Sequence, residues 1–331
     1  MKQRIISAIK YILLFAAAIV LLWFSFREVK WSDFTVGLKS ANYTLIAISM
    51  VVSIAAFWLR ALRWRMIMLP LNSGVKRRDA WDGINIGYIT NFAVPRAGEF
   101  ARCGVITRKT GLSFEKVAGT VVLERSVDLL SLAVLSTAIF VLQWSRFGNF
   151  IDNQIFSAFG DRFSGGLGVV AVTIFAAFAI FFYIVYLFRK KHPVFRKIAD
   201  IVKGVLAGIV SGFRMKQKWL FIIYTILIWI CYWLMSYTTI LAFPLVDGLG
   251  ASDALFLMVI GGFGWAIPVQ GGIGAYHFII SLALATIYGI DQTTGVVFAT
   301  ISHGSQALTM IACGAVSLIS FSFFKGKSQL P

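Results

Sequence analysis

Three ionisable residues stand in the pattern Glu124-Arg125-x-x-Asp128, inside an otherwise apolar run from about 115 to 143. On a helix opening near Ser113 and rising about 1.5 Å per residue, they lie roughly 15 to 22 Å in, near the centre of a hydrocarbon layer about 30 Å thick. Glu124 and Asp128 share a face one turn apart, and Arg125 reaches Asp128 at i+3. A charge at that depth costs at least about 2.5 kcal/mol on insertion scales. The residues leave two readings open: a self-compensated ion cluster that pins helix packing, or the polar wall of a cavity or proton relay.

A second constellation surrounds a break in the preceding apolar stretch, about 80 to 110, at Val94-Pro95-Arg96-Ala97-Gly98. Proline removes a helical hydrogen bond and clashes with the preceding turn, so a new half-helix should begin near Gly98 with free N–H groups suited to an anion. Arg96 and Arg102 add planar forks that match phosphate oxygens, Glu99 is a partner for either, and Asn91 stands just before the break. This tip is expected to face the Glu124 cluster and to take an anionic headgroup. Arginines snorkelling to the interface are the alternative.

A third break, in the stretch from about 253 to 290, reads Pro268-Val269-Gln270-Gly271-Gly272-Ile273-Gly274, with Gly261, Gly262 and Gly264 upstream. Such glycine density serves either backbone reversal or close helix packing. His277, just past the turn, and His303 are candidate proton carriers. Their unrelated spacing gives no metal-ligand pattern, and no metal or cofactor is expected. Arg60, Arg63 and Arg65, interleaved with Trp58 and Trp64, read as anchors at the cytoplasmic end of a span.

The elements that must hold these residues follow from composition. Of 331 residues 59% are hydrophobic and 14% charged, with a mean hydropathy of +0.82; soluble domains carry about 25% charge. The membrane is therefore the solvent. The net charge of +17 collects in short connections, which argues for cytoplasmic loops and against nucleic acid. Cys103, Cys231 and Cys313 are isolated and read as small core residues.

Six segments are long enough to cross, at about 6 to 26, 43 to 67, 115 to 143, 166 to 188, 218 to 243 and 293 to 323. The basic connections at 60 to 78, 96 to 116 and 189 to 218 belong in the cytoplasm, and the balanced or acidic ones at 27 to 42, 144 to 164 and 244 to 252 outside. The first span, after Lys2, Arg4 and Lys10, continues too far for a cleavable signal. If the 80 to 95 half crossed fully, the basic 96 to 116 loop would fall outside, so the broken stretches are expected to dip in and return. The prediction is an all-α polytopic membrane protein, one integral domain over 1–331. It has about six full spans, two opposed re-entrant hairpins and both termini in the cytoplasm, in the plasma (inner) membrane. Residues 193–214 alternate apolar and basic side chains at helical period and read as an interfacial helix on the anionic leaflet.

The hairpin regions resemble each other. Pro95 to Gly98 has the spacing of Pro268 to Gly271, and Gly111-Leu112-Ser113 opens the next helix as Gly289-Ile290-Asp291 opens its counterpart. Units 80–143 and 253–323 thus form a candidate inverted repeat, a transporter architecture with substrate between broken helices.

Together these motifs resemble a known family. Asn91-x-x-x-Pro95-Arg96-Ala97-Gly98-Glu99-x-x-Arg102 followed by Leu123-Glu124-Arg125-x-x-Asp128, with Pro268-x-x-Gly271-Gly272-Ile273-Gly274, resembles the flippase-like transmembrane domain of lysylphosphatidylglycerol synthases. In bifunctional members, this domain carries aminoacylated lipid across the bilayer while a soluble domain makes it. The 331 residues are expected to hold the membrane part alone, so a separate lipid-synthesising enzyme becomes a candidate partner. The chain departs from the pattern at His277, where relatives tend to carry Glu. No G-x-x-x-x-G-K-[ST], G-x-S-x-G or H-E-x-x-H motif occurs, which argues against an ATPase and the common hydrolases. The expected function is a lipid translocase for an anionic, zwitterionic or lipid-linked headgroup. An intramembrane lipid transferase of the phosphatidylglycerol lysyltransferase kind and a non-transporting scaffold are the alternatives.

Overall fold

The computed structural model describes residues 15–143 and 217–323, with Leu187 and Arg196 between them. The expected span at 166 to 188 and the interfacial helix at 193–214 fall, but for those two residues, outside the described part. All regular structure among the described residues is helical: α1 (Phe15–Phe26), α2 (Trp31–Ser40), α3 (Tyr43–Met68), α4 (Arg77–Ala93), α5 (Gly98–Thr110), α6 (Phe114–Leu142), α7 (Lys218–Leu241), α8 (Ala251–Ala266), α9 (Ala275–Tyr288) and α10 (Gln292–Ser322). The chain divides into two compact units, one of Met1–Val121 with Trp219–Pro331 and one of Val122–Lys218.

Among the described residues, five segments are long and apolar enough to cross a membrane: α3, α6, α7, α10 and Gln270–Tyr288. The first four match expected spans. The fifth owes its length to a short 3-10 turn at Gln270–Gly272, with positive φ at Gly271 and Gly272 inside it and at Gly274 just after. The regular helix α9 has 14 residues, or about 21 Å, less than the roughly 30 Å of hydrocarbon. Large apolar side chains cover the outside of these helices, among them Ile48 and Val51 on α3, Ile223 and Ile226 on α7, and Leu308 and Ile319 on α10. A water-soluble surface does not tolerate that much contiguous apolar area; this is an all-α integral membrane protein.

Short polar side chains set the helix boundaries. Asn42 accepts from the N–H groups of Thr44 and Leu45 at the start of α3, and Asp291 accepts from Thr294 at the start of α10. Asp79 and Asp253, each the third residue of its helix, accept the N–H just before α4 and α8, from Lys76 and Gly250. Helices α5 and α9 both end on a left-handed glycine, Gly111 (φ 73°) and Gly289 (φ 67°), and the next long helix opens three residues later in each case. Glycine supplies that conformation without a Cβ penalty.

Contacts along their length show that both broken stretches fold back on themselves. In hairpin one, Gly98 of α5 meets Asn91 and Gly87 of α4 near the tip, while Lys109 at the end of α5 binds Asp82 and Asp79 near the start of α4. In hairpin two, Gly264 of α8 touches Tyr276 of α9 near the tip, and Tyr288 Oη donates to Asp253 Oδ1 at the open end (3.0 Å). Each hairpin is thus antiparallel and closed at its open end by a buried aspartate.

Helix α10 runs past both hairpins. Its Gly295 packs on Ser281 of α9, His303 reaches Gly271 at tip two, Gly314 packs on Asn85 and Ile89 of α4, and Ser320 bonds Arg78 and Asp82 at the open end of hairpin one. The open ends therefore lie at opposite ends of a helix about 46 Å long, and the tips lie between them.

Close approach at tip one depends on the missing side chain of Gly98, since a Cβ there would press into the Gly87 carbonyl and the Asn91 amide. Gly104, in the same helix, faces open space. Gly98→Ala should cost roughly 1 to 3 kcal/mol and lower the melting temperature in detergent. Gly104→Ala should match or slightly exceed wild type because alanine favours helix; equal melting of the two variants would contradict this packing.

Candidate functional site

The hairpin tips meet inside the first unit. At tip one Asn91 Oδ1 accepts the Gly98 N–H (2.8 Å), so the opening N–H of α5 is capped from across the turn. Arg96 lies in the left-handed region (φ 62°), unlike any other described non-glycine residue. That conformation costs an L-residue about 1 to 2 kcal/mol. The Arg96 side chain is exposed, and its Nη2 donates to the carbonyl of Ala266, the last residue of α8 (3.3 Å). Phe92 lies against Gly271 so closely that a Cβ there would collide with the ring.

Tip two is held on its remaining sides. A Cβ on Gly272 would press on Trp265 and one on Gly274 on the α1 backbone at Ala18 and Leu22. His303 Nε2 lies 2.8 Å from the Gly271 carbonyl; because a carbonyl only accepts, that nitrogen carries the hydrogen. The His303 ring stacks on Trp265 (4.7 Å between centroids) and lies 5.4 Å from Tyr276 and 5.1 Å from His277. His277 in turn meets Phe26 of α1 (6.0 Å), and the Tyr276 and Ser302 hydroxyls are 2.8 Å apart.

Beside tip one the cations are buried. Arg102 is 3% exposed, with its guanidinium 4.8 Å over the Trp64 ring. Trp64 is fixed by its Nε1 donating to Thr120 (2.9 Å). On α3, Arg63 is fully buried and donates to Thr225 of α7 (3.4 Å), while Arg60 donates to Tyr232 of the same helix (3.0 Å).

The chain matches the family model described as the lysylphosphatidylglycerol synthase TM region over residues 9–314. It belongs to that family. No curated protein and no solved structure matches it at a significant level. Membership makes this a membrane protein of lipid metabolism or translocation.

Against that family, the sequence-predicted residues fall into three groups. Asn91, Arg96 and Gly98 of hairpin one come together with Gly271 and His303 at the joined tips, Pro268, Gly272 and Gly274 shape tip two, and His277 joins His303. Arg102 turns inward onto Trp64, and Glu99 is half-buried in the first turn of α5. Glu124, Arg125 and Asp128 belong to the second unit. They lie on unbroken helix α6, with Glu124 fully buried, Asp128 half-buried and Arg125 exposed, and none of the three lacks a partner.

Arg60 and Arg63, read from the sequence as anchors at the end of a span, are buried against α7, which the sequence reading did not foresee. Their i, i+3 spacing puts them on one face, and Thr225 and Tyr232, seven apart on α7, repeat with the period of two turns. Together these spacings were the available signal.

The contact between Phe92 and Gly271 can be isolated by a double-mutant cycle. Gly271→Ala should destabilise the protein through both the left-handed backbone (φ 55°; about 1 to 2 kcal/mol) and the collision with Phe92. Adding Phe92→Ala should relieve the second part only. Melting temperatures of the two single variants and the double are expected to be non-additive, and strict additivity would separate the tips.

Proposed function

We propose that the chain is a lipid translocase that carries a phospholipid or lipid-linked headgroup between leaflets. In this reading the hairpins α4–α5 and α8–α9 re-enter the membrane from opposite faces as an inverted repeat. Both termini are cytoplasmic, and the membrane is the plasma (inner) membrane. The observation that carries the reading is the meeting of two antiparallel hairpins between His303 and Gly314 of α10. Non-helical backbone at membrane depth is tolerated only where protein buries it or a polar cavity faces it, and broken helices at mid-depth are how transporters bring backbone groups to a polar substrate.

A headgroup crossing about 30 Å of hydrocarbon needs polar contacts that form and release along the way. Arg96, exposed at the joined tips and tethered to one backbone carbonyl, suits such a role. A guanidinium offers five N–H donors, so it can keep the Ala266 carbonyl and still grip phosphate oxygens. A guanidinium that grips phosphate supports an anionic or zwitterionic phospholipid as substrate; Glu99, three residues on, is already engaged within the chain. A separate lipid-synthesising enzyme would provide such a lipid; nucleic acid is no part of the reading.

The test is translocation of a fluorescent phosphatidylglycerol in vesicles reconstituted with each variant. Lys at position 96 still reaches one carbonyl as a point charge but loses the fork. Arg96→Lys should therefore be slower than wild type, and Arg96→Ala slower again by roughly tenfold or more, the value of a hydrogen bond to a charged group. Equal rates for wild type, Arg96→Lys and Arg96→Ala, all with unchanged melting, would remove Arg96 from the substrate path.

A further inference from the structure

We infer that His277 and His303 form a single proton-binding site beneath tip two, and that its occupancy sets how firmly α10 holds the tip. The residues are 26 positions apart in sequence, yet their rings lie 5.1 Å apart, 7% and 4% exposed. His303 spends Nε2 on the Gly271 carbonyl, which leaves Nδ1 as its basic nitrogen. His277 Nδ1 is buried without a hydrogen-bond partner. Two buried imidazoles, each with a basic nitrogen, therefore lie side by side.

Burial opposes a positive charge on either ring, and the aromatic walls offset part of that cost. Trp265 of α8 stacks on His303 at 4.7 Å, with Tyr276 of α9 at 5.4 Å, and Phe26 of α1 meets His277 at 6.0 Å. Aromatic faces attract a positive ring electrostatically. Of the titratable and charged groups on the packed elements, Asp253 of α8 and Tyr288 of α9 are bonded to each other at the open end of hairpin two. Tyr276 offers a hydroxyl already bonded to Ser302 of α10. Arg96 of hairpin one contacts the Ala266 carbonyl at the end of α8. Arg27 and Glu28, which follow Phe26 on α1, are exposed and paired with each other. Tip two itself contributes the Gln270 amide, whose buried Oε1 has no partner.

Protonation has a mechanical consequence. When His303 carries the extra proton, its Nε2–H bond to Gly271 becomes charge-assisted and about twice as strong as the neutral one, so the tip is held more firmly. A second proton must enter beside the first, against like-charge repulsion in an enclosed site. The pair therefore binds protons as a unit. Gly271 lies under Phe92, so the grip on tip two is also a grip on the contact between the tips. That this couples a proton to lipid movement rests on the translocase reading; the proton site itself does not.

Imidazole NMR in lipid nanodiscs tests the site directly, because the chain has three histidines and His192→Gln leaves the two of interest. Across about pH 3 to 8 the two rings should titrate together, and His277→Phe, which keeps an aromatic ring beside Phe26, should move the His303 midpoint by more than about one pH unit. Rings that stay neutral throughout, or a His303 midpoint unmoved by His277→Phe, would overturn the proposal. A second readout follows the tip. In a cysteine-free background, thiol labelling of Ile273→Cys relative to the same protein with His303→Gln, whose amide still donates to Gly271 but cannot titrate, should change about fivefold or more over that pH range. A constant ratio would overturn the mechanical half. Coupled titration without lipid translocation at any pH would leave the proton site standing and remove the translocase reading.

Discussion

A backbone N–H or C=O that leaves a helix in a buried apolar setting must find a partner within the protein, and two broken helices of the first unit meet that demand at their tips. The Gly98 N–H goes to Asn91, the Gly271 carbonyl to His303, and the Ala266 carbonyl to Arg96. None of these bonds joins neighbours in sequence. Each uses a polar side chain, and the buried His303 ring would otherwise be costly in an apolar interior, so the polar residues of the tips and the breaks that require them account for one another.

Close packing supports the same arrangement. Gly87 and Gly98 let α4 and α5 touch, Gly264 does so for α8 and α9, and Gly295 and Gly314 bring α10 against one hairpin and then the other. Without a hydrophobic drive between helices in lipid, such small-residue contacts and interhelical hydrogen bonds provide the association. The buried aspartates at the open ends, Asp82 with Lys109 and Asp253 with Tyr288, close each hairpin where the tip contacts cannot reach. The result is a stack of tip against tip along one long helix, with the histidine pair at its middle.

Much of this was legible in the residues. Proline followed by glycine marked both breaks, the glycine-x-x spacing before α6 and α10 marked both restarts, and apolar length marked α3, α6, α7 and α10. The family resemblance, carried by the residues around Pro95, Glu124 and Pro268, holds across 9–314. What pattern could not supply was long-range pairing. Asn91 reads as a polar residue near a break, and only the folded hairpin turns it into the cap of α5. His277 and His303 have no common period, and they meet because α9 and α10 fold back at Gly289. Arg60 and Arg63 look like interfacial anchors by composition, and their burial depends on α7, more than 160 positions away in sequence.

The central proposal, that the two hairpins joined at their tips enter the membrane from opposite sides, is tested most directly by cysteines in native membranes. A cysteine at Thr110, the open end of hairpin one, should react with an impermeant reagent from the cytoplasmic face alone, and one at Ile290, the open end of hairpin two, from the outer face alone. In the same background, cysteines replacing Phe92 and Gly271 should cross-link with a short bifunctional reagent. Labelling of Thr110→Cys and Ile290→Cys from one common face, or no cross-link between the tips in folded protein, would contradict the account.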